Sequence, residues 1–170
     1  MRATGKSATS AEPDSKTLEL TITRIFDVPR DLVWKLFTEP EHLMNWMGPR
    51  GFTPMHFTQD ARVGGRWRGM LHPDTNNPHT QKDLWQGGVF EEIAPPERIA
   101  YTFAWEEGMS GNPATETLVT LIFADRGEKT RLTFTQRGFT SEGERDGHIG
   151  GWNSAFDKLD NYVATLDEGE

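Results

Sequence analysis

The stretch IGGWNSAFDKLDNYVATL, residues 149–166, decides how the chain folds: Ile149, Trp152, Phe156, Leu159, Val163 and Leu166 follow one another at intervals of 3, 4, 3, 4 and 3 residues. Such intervals put apolar side chains on one face of a helix, and that face has to be buried against another element. Just upstream, Ser141 and Glu144 stand at capping-box spacing. The helix is expected to start there, with Ser141 accepting from the Glu144 N–H and Glu144 reaching back. Gly143, Gly147, Gly150 and Gly151 crowd its first half, and each weakens a helix by about 1 kcal/mol relative to alanine. That half is either frayed or held by packing.

The partner of this face is legible further toward the N-terminus. Leu18, Leu20 and Ile22 alternate with Glu19, Thr21 and Thr23, the period of a half-buried strand, which is expected to run to about Phe26. Pro29 suits the first turn of a short helix over 29–38, where its missing N–H costs nothing. Pro40 suits the same position in a second short helix that carries Leu43, Trp46 and Met47 on one face and stops at Gly48-Pro49. Strand-like segments follow at 55–57, 66–72, 85–93, 98–105, 118–124 and 130–138, which makes seven with the first. Val63-Gly64-Gly65, Ala94-Pro95-Pro96-Glu97 and Asp125-Arg126-Gly127-Glu128 supply turn chemistry for antiparallel neighbours. Two connections, 73–84 and 106–114, are longer and polar and are expected to be mobile. One strand, two short helices, six strands and one long helix predict an α+β fold, an antiparallel sheet whose concave face is covered by the terminal helix.

Residues 1–16 hold no large apolar side chain after Met1 and cannot offset the entropy of ordering, so they are expected to form a disordered tail. Residues 17–167 are then read as a single domain, with no internal repeat or second boundary. A chain of 170 residues is large enough for one core that buries roughly two thirds of the unfolded surface. Six Trp and ten Phe supply an unusual share of its apolar volume, and rings of that size need a core or a cavity. The formal charge of −8 and the lack of any Lys/Arg run argue against nucleic acid as a partner. No window approaches about 18 consecutive apolar residues, so membrane insertion is not expected. The N-terminal segment lacks the apolar stretch of a secretory signal, and the chain is expected to be cytoplasmic. Zero cysteines rule out disulfides, thiolate nucleophiles and Cys-ligated zinc together.

Four segments carry a resemblance to a known family: TRIFDVPRDLVWKLFTEPEHLMNWMGPRGF at 23–52, GGRWR at 64–68, GGVFEEIAPPERIAYTF at 87–103, and TRLTFTQRGFTSEGERDGHIGGWNSAFDKLDNYV at 130–163. Taken in this order they resemble the START-like (SRPBCC) superfamily in its AHSA1-like branch, the activator of Hsp90 ATPase homologues, from about Leu20 to Val163. The resemblance implies a helix-grip fold, in which a curved antiparallel sheet grips the long C-terminal helix and leaves a cavity between them. Its relatives include lipid carriers, polyketide cyclases and aromatases, stress-induced proteins and the Hsp90 co-chaperone domain, so fold alone does not fix activity. Met47 stands where the family often has a second Trp, and Gly69 where an aromatic is frequent. Both departures are expected to alter a pocket lining.

Two readings compete for the aromatic residues. Tyr101, Phe103 and Trp105 share a strand face and Trp152 shares a helix face with Phe156. With Trp46, Trp67 and Trp85 these rings either line a ligand pocket or fill the core. His72 ends a strand beside the 73–84 connection and His148 lies near the glycine-rich helix start; either is a candidate acid or base at a pocket mouth, with His148 taken as a residue of the site, although surface histidines are the plainer reading. Arg24 continues the inward alternation of Leu20 and Ile22, so its guanidinium needs a carboxylate or carbonyl partner. Arg66 and Arg68 share one face of their strand, Trp67 and Leu71 the other, and either face could be concave. His42, His56, His72, His79 and His148 show no metal spacing, so neither a metal nor another cofactor is expected. No catalytic residue is assigned: nucleophile-elbow, phosphate-loop and dinucleotide motifs are all missing.

The function expected from these residues is non-enzymatic binding of a small hydrophobic or aromatic ligand between sheet and helix. The alternatives are a polyketide cyclase- or aromatase-like enzyme, in which a His or Arg moves protons, and an Hsp90 co-chaperone-like surface that binds a protein partner. The last has less support, since the START-like portion is read as lacking an extra N-terminal domain. Homodimerisation is left open.

Overall fold

The computed structural model describes residues 18–106 and 115–168. The expected tail at 1–16 and most of the 106–114 connection lie outside the described residues. The elements run β1 (Glu19–Phe26), α1 (Arg30–Thr38), α2 (Pro40–Leu43), β2 (Phe52–Gln59), β3 (Arg66–Pro73), β4 (Leu84–Ala94), β5 (Arg98–Trp105), β6 (Thr117–Arg126), β7 (Lys129–Arg137) and α3 (Glu142–Glu168). The strands form one antiparallel sheet in the order β1-β7-β6-β5-β4-β3-β2. Only β1 steps out of sequence, crossing to pair with β7 so that Leu20 lies opposite Gln136 and Ile22 opposite Phe134.

Two short helices after the first strand and a long C-terminal helix gripped by the curved sheet make this a helix-grip fold. The α3 face lands as its spacing requires. Trp152, Phe156, Leu159 and Val163 are buried, with Ile149 and Leu166 half-buried at the two ends. They meet the inward side chains of β1, β7 and β6, among them Phe26, Leu132, Phe134, Val119 and Phe123. Apolar burial of this kind contributes about 25 cal/mol per Å². Arg24, on the same inward face, donates to Asp157 Oδ1 at 3.0 Å and Asp160 Oδ2 at 3.3 Å, and also to the Asn153 carbonyl. Its need for carboxylate and carbonyl partners is met by α3 itself. Burial raises the Asp160 carboxyl above its ordinary value, with Arg24 opposing that shift and Asp157 adding to it.

Local details depart from expectation in three places. Pro29 is not inside the first helix but is its N-cap, extended at ψ 158°, with its carbonyl accepting from Leu32 and Val33 N–H at 3.1 Å. The capping box at α3 is half formed. Ser141 Oγ accepts from Glu144 N–H at 3.1 Å as expected, but the Glu144 carboxylate takes the N–H of Thr140, one residue further back. The 73–84 connection, expected to be mobile, is tied down around Asn77. The Asn77 amide donates to the Gly51 carbonyl at 2.6 Å, and its oxygen accepts from His79 and Thr80 N–H. A buried Asn that satisfies loop backbone in this way orders the segment as a turn does.

Candidate functional site

Between the first half of α3 and the β3–β5 end of the sheet lies a cleft of about 1260 Å³. Its floor is Phe103 and Trp105 of β5, Leu71 of β3 and Gln86 of β4. Its roof is α3, with Gly143, Gly147, Gly150 and Gly151 interleaved with His148 and Trp152. A Cβ built on any of those four glycines would meet nothing within 4 Å, so their bare backbone borders open space. One lip, residues 48–52, is fixed to α3 by three hydrogen bonds, with an Arg50–Asp157 ion pair at 3.7 Å beside them. Ser154 Oγ accepts from Arg50 N–H at 2.7 Å, and Lys158 Nζ donates to the Gly48 carbonyl at 3.0 Å and the Phe52 carbonyl at 3.3 Å. Half-burial lowers the Lys158 ammonium pKa; Asp74 opposes the shift and Arg50 adds to it.

The rings across the cleft are positioned by polar contacts. Trp152 Nε1 donates to Gln136 Oε1 at 2.7 Å, Gln136 Nε2 to Thr117 Oγ1 at 2.8 Å, and Thr117 Oγ1 to the Phe103 carbonyl at 3.2 Å. This fully buried relay joins α3 to β5 through β7 and β6 and fixes the Trp152 indole against Phe103, 6.1 Å between centroids. Sequence reasoning passed over Gln136, although it continues the inward alternation of Leu132 and Phe134 and a buried amide needs partners. His148 is fixed in the same manner. Its Nδ1 donates to the Glu144 carbonyl at 2.8 Å and its Nε2 accepts from Trp105 Nε1 at 3.1 Å. A carbonyl only accepts and an indole N–H only donates, so these two bonds define the Nδ1–H tautomer.

Behind the cleft is a second, much smaller void of about 20 Å³ lined by Phe37, Phe57, Trp67, Phe90 and Tyr101 among others. Met47, Gln86, Phe103 and Trp152 border both spaces and form the wall between them. The two sequence departures are placed by this arrangement. Met47 is part of that wall, and the room an aromatic at position 69 would take is filled from the next strand by the Phe57 ring, which lies against Gly69.

The nine expected site residues therefore sort into groups. Phe103, Trp105, His148 and Trp152 meet around the cleft. Trp67 and Tyr101 lie deeper, at the inner void, with 5.3 Å between their centroids. Trp46 and Phe156, both 0% exposed, pack behind in the core, and the Trp46 indole donates to the Leu36 carbonyl. Trp85 borders the cleft, but its ring lies on the outer face beside Met70, with the Arg68 guanidinium 3.8 Å over it and His56 at 5.5 Å. The concave face of β3 is thereby resolved as the one carrying Trp67 and Leu71, while Arg66 and Arg68 point outward. Arg68 grips Glu106 at the cleft rim through two hydrogen bonds of 2.6 and 2.8 Å, and these hold the Glu106 carboxyl below its ordinary value.

Burial pushes the Tyr101 phenol well above its ordinary value of 10.0. In the folded chain it stays protonated where an unfolded one ionises, so its contribution to stability is complete below pH 10 and is lost as pH rises beyond that. Tyr162, the other tyrosine, is also raised, by burial and then by Glu41. Absorbance at 295 nm should thus show less phenolate at pH 10 than two free tyrosines give, with a late rise that coincides with unfolding. Tyr101→Phe should remove most of that late rise and leave the smaller part that belongs to Tyr162, and a native protein whose two tyrosines titrate together near pH 10 would contradict the buried phenol.

Among the described residues no group of His, Asp or Glu could hold a metal ion, and no helix is long and apolar enough to cross a membrane. A seven-stranded sheet gripping a long terminal helix, with a cleft opening beside that helix, defines a START-like protein of the SRPBCC superfamily. The chain belongs to the activator of Hsp90 ATPase homolog 1-like family, whose signature matches residues 27–164. No curated protein matches it. Among solved structures it is similar to a protein of Chromobacterium violaceum, at 25% identity and a TM-score of 0.75 over 85% of this chain and 96% of that one. It is similar in fold to the AHSA1 protein of Silicibacter pomeroyi, at 21% identity and 0.74 over 88% and 99%. CalU16 of Micromonospora echinospora aligns at 25% identity and 0.59 over 85% and 75%.

Proposed function

We propose that the chain binds a small hydrophobic or aromatic molecule in the cleft between α3 and the sheet, without converting it. The observation that carries this reading is the meeting of rings from two elements, Phe103 and Trp105 of β5 with Trp152 of α3, beneath a helix segment stripped of side chains by four glycines. Apolar walls with a few fixed polar groups are the usual form of a small-molecule site; at about 1260 Å³ the cleft exceeds the usual size of about 300–1,000 Å³, so a small ligand fills part of it. A flat ligand there gains edge and face contacts worth about 0.5–1.5 kcal/mol each beyond its buried area. Both ring nitrogens of His148 are already bonded, so the histidine nearest these rings has no free lone pair with which to take a proton from a ligand.

Binding should quench tryptophan fluorescence saturably when planar aromatics, fatty acids and sterols are titrated in. Trp152→Ala should weaken the binding, and Trp105→Ala provides a second variant whose half-exposed ring matters less to folding. Linear, non-saturating quenching across the whole panel would remove the reading.

A further inference from the structure

Five polar side chains are buried among the described residues: Asn77, Gln86, Thr117, Thr130 and Gln136. Four of them have partners. Asn77 holds its loop, Thr130 donates to the Val28 carbonyl, and Thr117 and Gln136 belong to the Trp152 relay. Gln86 is 3% exposed, and no described residue hydrogen-bonds its amide. Nor is that amide sealed in apolar packing, since among the described residues the one fully enclosed side-chain atom left without a partner is Arg131 Nε. What surface Gln86 keeps faces the cleft and the inner void, both of which it lines. Left dry and without a partner, such an amide would cost about 1–3 kcal/mol, and native proteins carry few such groups, so the amide is set to meet a polar group in the space it faces.

Tyr101, half-buried by exposure, borders the same space. It lines the inner void, it packs edge-on against Trp67 and Phe90, and its hydroxyl has no partner among the described residues. Among the described residues no charged side chain lines that void.

We infer that the inner wall reads a neutral hydrogen-bonding group on the ligand, with the Gln86 amide as the specificity-determining contact and the Tyr101 hydroxyl as its second. The ligand class is then an apolar ring system ending in a hydroxyl, ketone or amide, inserted polar end first. A carboxylate there would be an uncompensated buried charge and is rejected. A site built to hydrogen-bond a polar group discriminates against analogues that lack it, because its own buried groups are then left unpaired. This inference rests on the proposed binding function and adds to it the chemistry of the ligand's buried end.

Three probes built on one naphthalene ring test it by titration calorimetry: 2-naphthol, its isostere 2-methylnaphthalene, and the larger, charged 2-naphthoate. Wild type should bind 2-naphthol most tightly and 2-naphthoate least. In Gln86→Leu the ratio of the 2-methylnaphthalene to the 2-naphthol Kd should fall by about threefold to tenfold, with the melting temperature held or raised. Tyr101→Phe, which keeps the ring, should lower the same ratio by a smaller factor, and Gln86→Met serves if the leucine variant does not fold. An unchanged ratio in both the Gln86 and Tyr101 variants, as expected if the amide merely holds a water in the 20 Å³ void, overturns the inference while binding stands. So does a preference for 2-naphthoate. Failure of wild type to bind any of the three overturns the binding reading as well, so the two failures are distinguishable.

Discussion

Replacing Phe156 by Ala should lower stability by about 3–5 kcal/mol, the usual cost of a fully buried Phe→Ala change. Phe156 is 0% exposed. Its ring touches those of Phe26, Phe37, Trp46, Phe134 and Trp152, at centroid separations of 5.4–6.4 Å. These neighbours come from β1, α1, the turn after α2, β7 and α3, so no single shift can close the hole that truncation leaves. The Arg24 guanidinium, 5.9 Å from the ring centroid, would lose its contact too. At this chain length the loss corresponds to a fall in melting temperature of about 6–20 °C. Ligand affinity should change little in the folded fraction, because Phe156 borders neither space. A loss below about 1 kcal/mol would show that the ring lines an open pocket instead of holding the core.

The second large effect is expected at Gly88. This residue lies opposite Trp67 in the β3–β4 ladder, and the Trp67 indole N–H passes over it to the Thr102 carbonyl of β5 at 3.0 Å. A Cβ at position 88 would overlap that same Thr102 carbonyl oxygen. The neighbouring Val89 N–H is taken by the Thr102 hydroxyl at 2.9 Å instead of by a ladder carbonyl. Gly88→Ala must therefore push β4 from β5 or turn the indole away, and either outcome strands a buried donor. The cost should be about 3 kcal/mol or more, overpacking and a lost hydrogen bond together. Chemical denaturation measures it. Gly87→Ala is a weaker control, since its Cβ would meet the Trp67 carbonyl at 2.8 Å without crossing the indole. Equal stability of Gly88→Ala and wild type would mean that Trp67 is not held across the strand.

Much of this architecture was legible in the residues, because period is a local property. The α3 stripe, the seven strands and the demand of Arg24 for a partner all follow from spacing and burial. What spacing does not supply is the sign of a face. Trp67/Leu71 and Arg66/Arg68 alternate equally well either way up, and only the curvature of the whole sheet chose the first pair. Trp85 and Tyr101 are both aromatic strand residues, yet they point to opposite faces because their parity depends on the register of β3 with β4 and β4 with β5. Cross-strand compensation is invisible for the same reason: Phe57 occupies the room left at Gly69 from a strand whose register no local pattern specifies. Gln86 and Gln136 did carry a local signal, each lying two residues from an inward-facing neighbour, but a strand search that follows apolar residues passes over a buried amide.

The bare glycine face of α3 bears on how such a scaffold diversifies. Gly143, Gly147, Gly150 and Gly151 have open space where a side chain would stand, so alanine is sterically admissible at each and would firm up the helix by about 1 kcal/mol per site. All four line the cleft, and a side chain that turns into it removes volume from it. Capacity and rigidity are therefore opposed along a single helical segment, at positions on which the core does not depend. Stepwise replacement would yield a graded set of sieves on one unchanged frame, and a lineage could retune the size of its cargo there without repacking its interior.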